Sequence, residues 1–289
     1  MLLNQTHRKH FTYGWLAIFY VLAAYKWWQG MWLFQANPFM FVTRFDGITW
    51  QLLQTGLHRF VMQQSVAHYV ADGIFYSLPL VYGILFLRKS RIAAKLAWVW
   101  LLANWLYVQL YTSYPINSIE AHIAWLLFPV LFAMVSLPSY YFVLQGLRYF
   151  FLYFFVSAGI WKLVQGGAFF PGQMSAILLE QHKEWLVASN GHWHAEFIFW
   201  LIDLPLVSFL FYWMGLLIEL FFVVGFFTKR YDHVLIALFI LFLGFDYFIM
   251  RIPYFEVAPF LLTLWHGRFR APVNHLPAKE QVLPRQHSA

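Results

Sequence analysis

Long apolar runs, each broken by only one or two polar residues, alternate along this chain with short clusters of charge. Runs long enough to cross about 30 Å of hydrocarbon fall near 13–35, 66–87, 92–112, 119–137, 141–163, 206–227 and 232–250, with a shorter eighth near 254–266. They predict an all-α, polytopic transmembrane bundle of about eight helices, because only internally hydrogen-bonded helices can carry so much apolar chain through lipid. No repeat or long linker divides it, so 1–266 reads as one transmembrane helical domain and 267–289 as a polar cytoplasmic tail. Two connections are themselves patterned. Trp50, Leu53 and Leu57 recur at helical spacing within 44–64, and 164–205 is rich in Trp and Phe. Each predicts an amphipathic helix in the interface, and for 164–205 a lid over a cavity fits equally well.

Composition fixes the solvent. With 62% hydrophobic and only 11% charged residues in a chain of 289, and a mean hydropathy of +0.60, the apolar surface exceeds what folding alone can remove from water. The lipid bilayer is therefore the expected partner. The formal charge of +7 does not imply nucleic acid, since the cations sit in short clusters between apolar runs with no basic groove. Arg8 and Lys9, the cluster Arg88, Lys89, Arg91 and Lys95, then Lys229 with Arg230 and Arg268 with Arg270 all fall on one side if the chain crosses eight times. That places both termini inside by the positive-inside rule, with a bacterial cytoplasmic membrane as the expected compartment. The run after Lys9 lacks a small-residue cleavage site and reads as a retained first helix. Absence of cysteine excludes disulfides, thiolate nucleophiles and thiol redox chemistry in this chain.

Few polar residues interrupt the runs, and each needs a partner, a cavity or the headgroups. His68 and Asp72, four apart, share a helix face and form either a proton relay or a mutually satisfied pair. Lys26 has the stem length to snorkel outward. Glu219 lies deep in its run and is either ion-paired or neutral and hydrogen-bonded, while Asp246 and Arg251 are expected to form a surface salt bridge. His182, His192 and His194 offer imidazoles, but no cysteine or carboxylate completes a metal spacing, so no metal is assigned. Lys162 follows Trp161 at the end of the fifth run. A lysine there is either an interfacial anchor or a group retained for chemistry.

The stretch Tyr153-Phe154-Phe155-Val156-Ser157-Ala158-Gly159-Ile160-Trp161-Lys162-Leu163 resembles the signature of the horizontally transferred transmembrane (HTTM) domain superfamily, whose best-known members are the vitamin K-dependent gamma-glutamyl carboxylases. Their matching helix ends in Ala-Gly-x-Lys-Lys-Leu, and the second lysine falls on Lys162. The resemblance extends over 113–266. It places His182 and Trp185 against a His-Trp pair in an exterior segment, Glu219 against an aspartate, and Asn117 with His122 against an Asn-His pair; Trp161 replaces the first lysine. It implies Lys162 as a base acting on a quinol (vitamin K-like) or another lipid-soluble substrate in an exterior-facing cavity. Asn117, His122, Trp161, His182, Trp185 and Glu219 would support or bind the substrate. The large soluble region that follows in the carboxylases has no counterpart after Trp265. A second reading from a different class therefore stands beside the first: a non-catalytic membrane scaffold, or a partner in the export or maturation of a secreted protein. Pro79, Pro129 and Pro205 with the His68/Asp72 face hint at a third, a transporter.

Overall fold

The structure is a computed structural model that describes residues 2–35, 47–56, 59–60, 65–111, 119–189 and 191–270. Its helices are α1 Gln5–Trp28, α2 Gly47–Gln54, α3 Ser65–Leu87, α4 Ile92–Tyr111, α5 Ile119–Ala133, α6 Leu137–Val164, α7 Gln173–Ala188, α8 Trp193–Asp203, α9 Pro205–Phe221, α10 Val224–Phe227, α11 Asp232–Phe245 and α12 Leu261–Gly267. Among the described residues, four segments, Val66–Leu87, Leu137–Val164, Pro205–Phe227 and Asp232–Met250, are long and apolar enough to cross a membrane. The apolar runs thus became helices close to where the pattern puts them. The run near 254–266 is broken: a 3-10 turn, Tyr254–Phe260, leads through Pro259 into the seven-residue α12. Proline has no N–H to donate and cannot continue a ladder from within a helix.

Local sequence sets the helix starts. Asn4 accepts from the His7 N–H at 3.0 Å while His7 Nδ1 accepts from the Asn4 N–H at 3.3 Å, a reciprocal cap that opens α1. Ser136 caps α6 through the Ser139 N–H at 3.2 Å, with proline in the first turn, where its missing donor is not needed. α6 then runs 28 residues from that cap to Lys162 and Val164.

Aromatic rings fill the core. Phe11, Trp15, Phe19, Trp100, Phe128, Phe132 and Phe151 are each almost wholly enclosed, and Phe151 stacks on Phe260 with centroids 5.2 Å apart. Such rings bring large contact area with few rotatable bonds, so the bundle gains packing at low entropic cost. A second apolar cluster joins Met174, Leu178 and Leu186 of α7 to Ala195, Ile198 and Leu201 of α8 and to Ile249. The segment 164–205 is therefore a helical hairpin packed on the end of the bundle, with Val187, Trp193 and Trp200 left on its outer surface.

Two buried ion pairs join separate elements of the bundle. Arg148 of α6 donates to both carboxylate oxygens of Asp232 and, at 3.0 Å, to the Gly225 carbonyl. Lys26 does not snorkel: it is buried and lies 2.7 Å from Glu256 on the 3-10 turn. A buried carboxylate within reach outweighs the route to the interface, because either charge alone would be uncompensated in an apolar setting.

Candidate functional site

The site begins at a glycine. A Cβ at Gly159 of α6 would lie 3.0 Å from Leu220 Cδ2 and 3.2 Å from Glu219 Cβ, so glycine lets α9 sit a few tenths of an ångström closer than a larger residue would. One turn further on, Lys162 then reaches across the contact and donates to Glu219 Oε1 at 2.7 Å. The Glu219 side chain is 3% exposed and that of Lys162 is 35% exposed. The other Glu219 oxygen, Oε2, is buried with no hydrogen-bond partner among the described residues.

A second carboxylate comes from α11. Its ladder widens into a π turn, Asp246–Met250, closed by Arg251 at φ +52° and by the Ile252 N–H donating to the Asp246 carbonyl at 3.0 Å. Single π turns of this kind re-aim one side chain and often mark functional positions. Here the turned-in residue is Asp246, which lines the same cavity as Lys162 and Glu219. That cavity measures about 310 Å³, and its remaining wall is apolar: Phe154, Phe155, Phe242, Met250, Tyr254 and Val257 are among its residues. One ammonium thus faces two carboxylates at the end of an aromatic chamber. The set can bind the polar head of an otherwise apolar molecule, and it can accept, hold and return a proton.

The expected salt bridge between Asp246 and Arg251 is absent among the described residues. Arg251 instead lies over the Trp185 ring, 4.2 Å from its centroid, because the left-handed turn at Arg251 carries its side chain out of the bundle and toward α7. His182 Nε2 donates to the Ile249 carbonyl at 2.8 Å, and burial pushes this imidazole below its ordinary value of 6.5. His182 and Trp185 therefore brace the outer side of the turn that carries Asp246, without lining the cavity. Trp161 is 59% exposed and also lies off the cavity wall. Asn117 and the His122 side chain fall outside the described residues.

His68 and Asp72 sit apart from this cavity, on α3. Asp72 accepts from the Leu33 and Phe34 backbone N–H groups at 3.2 and 3.1 Å and from Tyr107 Oη at 2.6 Å, tying the chain after α1 to α3 and α4. His68 is buried, with Nε2 unpartnered among the described residues. The residue that reading the chain misplaced is Asp246. Its signal was depth: it lies inside an apolar run, whereas a surface salt bridge belongs beyond the end of one.

The chain matches no described protein family, no curated protein and no solved structure.

Proposed function

We propose that this chain is a multi-pass membrane protein of the HTTM type, with a membrane domain like that of the vitamin K-dependent carboxylases. In this reading its cavity receives the head of a weakly acidic, lipid-soluble molecule such as a quinol, and Lys162 is the base that takes its proton. The observation that carries the reading is the Lys162 ammonium, 2.7 Å from Glu219, beside a second carboxylate at the end of an aromatic cavity of about 310 Å³. That volume lies at the lower end of the range of small-molecule sites, about 300–1,000 Å³. A base must offer a lone pair, and the Lys162–Glu219 pair reaches that state by moving one proton along its hydrogen bond, leaving an amine beside a carboxylic acid. Asp246 gives the cluster a second oxygen pair on which a proton taken from the ligand can rest. The phenyl walls lower the polarity around these groups and so strengthen each of these interactions.

Orientation follows from charge. The end bearing Arg8, Lys89, Arg230 and Arg268 is assigned to the cytoplasm, which puts Lys162 toward the exterior leaflet of a bacterial cytoplasmic membrane. The scaffold or maturation-partner reading draws on a different observation: Phe169, Phe170, Trp193 and Trp200 stand exposed around the 164–205 hairpin, a surface suited to a protein neighbour as well as to lipid.

An anaerobic titration of the purified protein with a short-chain naphthoquinol, followed by equilibrium dialysis, tests the ligand class. Binding should weaken about tenfold or more in Lys162→Ala and in Asp246→Asn, the loss expected when one charge-assisted contact disappears. No saturable binding to the unaltered protein would sink the quinol reading.

A further inference from the structure

A second cavity, of about 770 Å³, lies at the end of the bundle where α6 begins, the whole 28-residue length of that helix away from Lys162. It opens between α1, the end of α3 and the start of α4. Tyr82, Phe86 and Phe132 contribute an aromatic floor, Lys9, Lys89 and Arg91 supply its cations, and no carboxylate is among its described lining residues.

Arg8 anchors this site from beneath. It is 7% exposed, and its guanidinium donates to the Met134 carbonyl and, at 3.1 Å, to the Val135 carbonyl just past the end of α5. The same group lies 5.4 Å from the Phe86 ring centroid. Its Nε–H is buried without a partner among the described residues, and none of the salt bridges formed there involves Arg8. A buried guanidinium held by carbonyl dipoles and by the Phe86 and Tyr140 rings still has no carboxylate countercharge among the described residues.

Lys89 adds an independent observation. It occupies the left-handed position, φ +52°, of the turn that ends α3, with the Ser90 N–H donating to the Leu85 carbonyl at 3.0 Å and the Lys89 N–H to the Phe86 carbonyl at 3.0 Å. That hydrogen-bond pattern normally places glycine where Lys89 stands, because a Cβ strains the backbone there. A lysine held in a conformation that disfavours it, lining a cavity with no carboxylate among its described residues, is better explained by what its ammonium binds than by the turn.

We infer that this cavity is an anion site for a phosphate group, filled by the headgroup of an anionic phospholipid, with Lys89 and Arg91 as its outer contacts and Arg8 as its buried countercharge. The site stands independently of the Lys162 reading, since the two share no residue. An aromatic floor below a basic rim suits an amphiphile, whose phosphate meets the cations while its glycerol and first methylenes lie on the rings.

The test uses delipidated, full-length protein in neutral detergent. Native mass spectrometry and thermal shift follow titration with phosphatidylglycerol, with phosphatidylcholine and, separately, with inorganic phosphate. The variants are Lys89→Gly, which relieves the turn and so cannot lose binding by unfolding, and Arg91→Gln. Phosphatidylglycerol should bind and stabilise the unaltered protein in preference to phosphatidylcholine. Each variant should weaken it about fivefold and the double variant about thirtyfold. Stabilisation by inorganic phosphate alone, lost in the double variant, would keep the site and assign it to a free phosphate. Equal binding of the two lipids, or unchanged binding in the double variant, would overturn the inference.

Discussion

The two ends of the Lys162–Glu219 bond are not equivalent, and their removal should show it. In Lys162→Met, Glu219 keeps a carboxylate that is 3% exposed, with Oε2 already unpartnered and Oε1 newly so. Among the described residues, Lys162 is the only cation lining that cavity. Breaking a buried pair from this side costs about 3–5 kcal/mol. In Glu219→Leu the abandoned group is an ammonium 35% exposed, which can reach solvent and faces the Asp246 carboxylate across the same cavity. Its loss is closer to that of an exposed pair, about 1 kcal/mol. The double variant removes both charges of the pair but leaves Asp246 without its facing ammonium, so it should cost about 1–2 kcal/mol, and the cycle yields a coupling of about 2 kcal/mol or more. Thermal unfolding in detergent, followed by tryptophan fluorescence, reads these as midpoint losses of about 6–10 °C and about 2 °C for the single variants and about 2–4 °C for the double. The reasoning fails if Glu219→Leu is as damaging as Lys162→Met, because the difference in burial and the spare carboxylate would then count for nothing.

The remaining expectations concern what holds the site in place. Gly159→Ala should cost about 1–3 kcal/mol in the same assay, since Leu220 can rotate away but Glu219 Cβ cannot move without α9; Gly146→Ala, with nothing within 4 Å of the new methyl, should cost nothing. Arg148→Met strands Asp232, whose side chain is 4% exposed, and should cost about 3–5 kcal/mol, most of it recovered in Arg148→Met/Asp232→Leu. His182, buried at the outer face of the π turn, holds its proton less readily folded than unfolded. The unfolded chain therefore binds more protons, so the stability this residue contributes is present above about pH 6.5 and is lost as pH falls through its depressed folded value. A melting-temperature series across that window should flatten in His182→Gln, and an unchanged slope would count against the assignment.

How much of this was legible depends on which physical signal each feature leaves in one dimension. Helix positions were readable because apolar length is a direct record of what crosses hydrocarbon. The facing of each helix was not, because a helix apolar on every side carries no periodic mark of its neighbour. Lys162 and Glu219 could be picked out as costly residues in apolar runs, but 57 positions separate them, and nothing in either run names the other. Lys26 was misread for the same reason, since Glu256 lies 230 positions away, in the short eighth run. Asp246 failed differently. Arg251, five residues on, offered an obvious local partner, and only the π turn with its left-handed close at Arg251 separates the two side chains. The Ala158-Gly159 pair was read as part of a family signature. Its physical content, the close approach of α9, needed the contact distances at Gly159.

The buried ion pairs also differ from the Lys162 pair without any appeal to resemblance. Lys26 with Glu256 and Arg148 with Asp232 are buried at both ends, with side-chain exposures of 8% and 5% in the first pair and 0% and 4% in the second. Such pairs can lock helices in register, and a molecule arriving from lipid or water would have to break the packing to touch them. Lys162 departs from that pattern twice over. Its ammonium is reachable while its partner is sealed, and the cavity wall adds a second carboxylate that pairing alone does not require. Stapling α6 to α9 needs one carboxylate, since the attraction is satisfied at 2.7 Å; a second, delivered by a deformed helix, only adds repulsion unless a further positive charge comes and goes. A mobile proton, or the polar head of a ligand that donates one, meets that requirement.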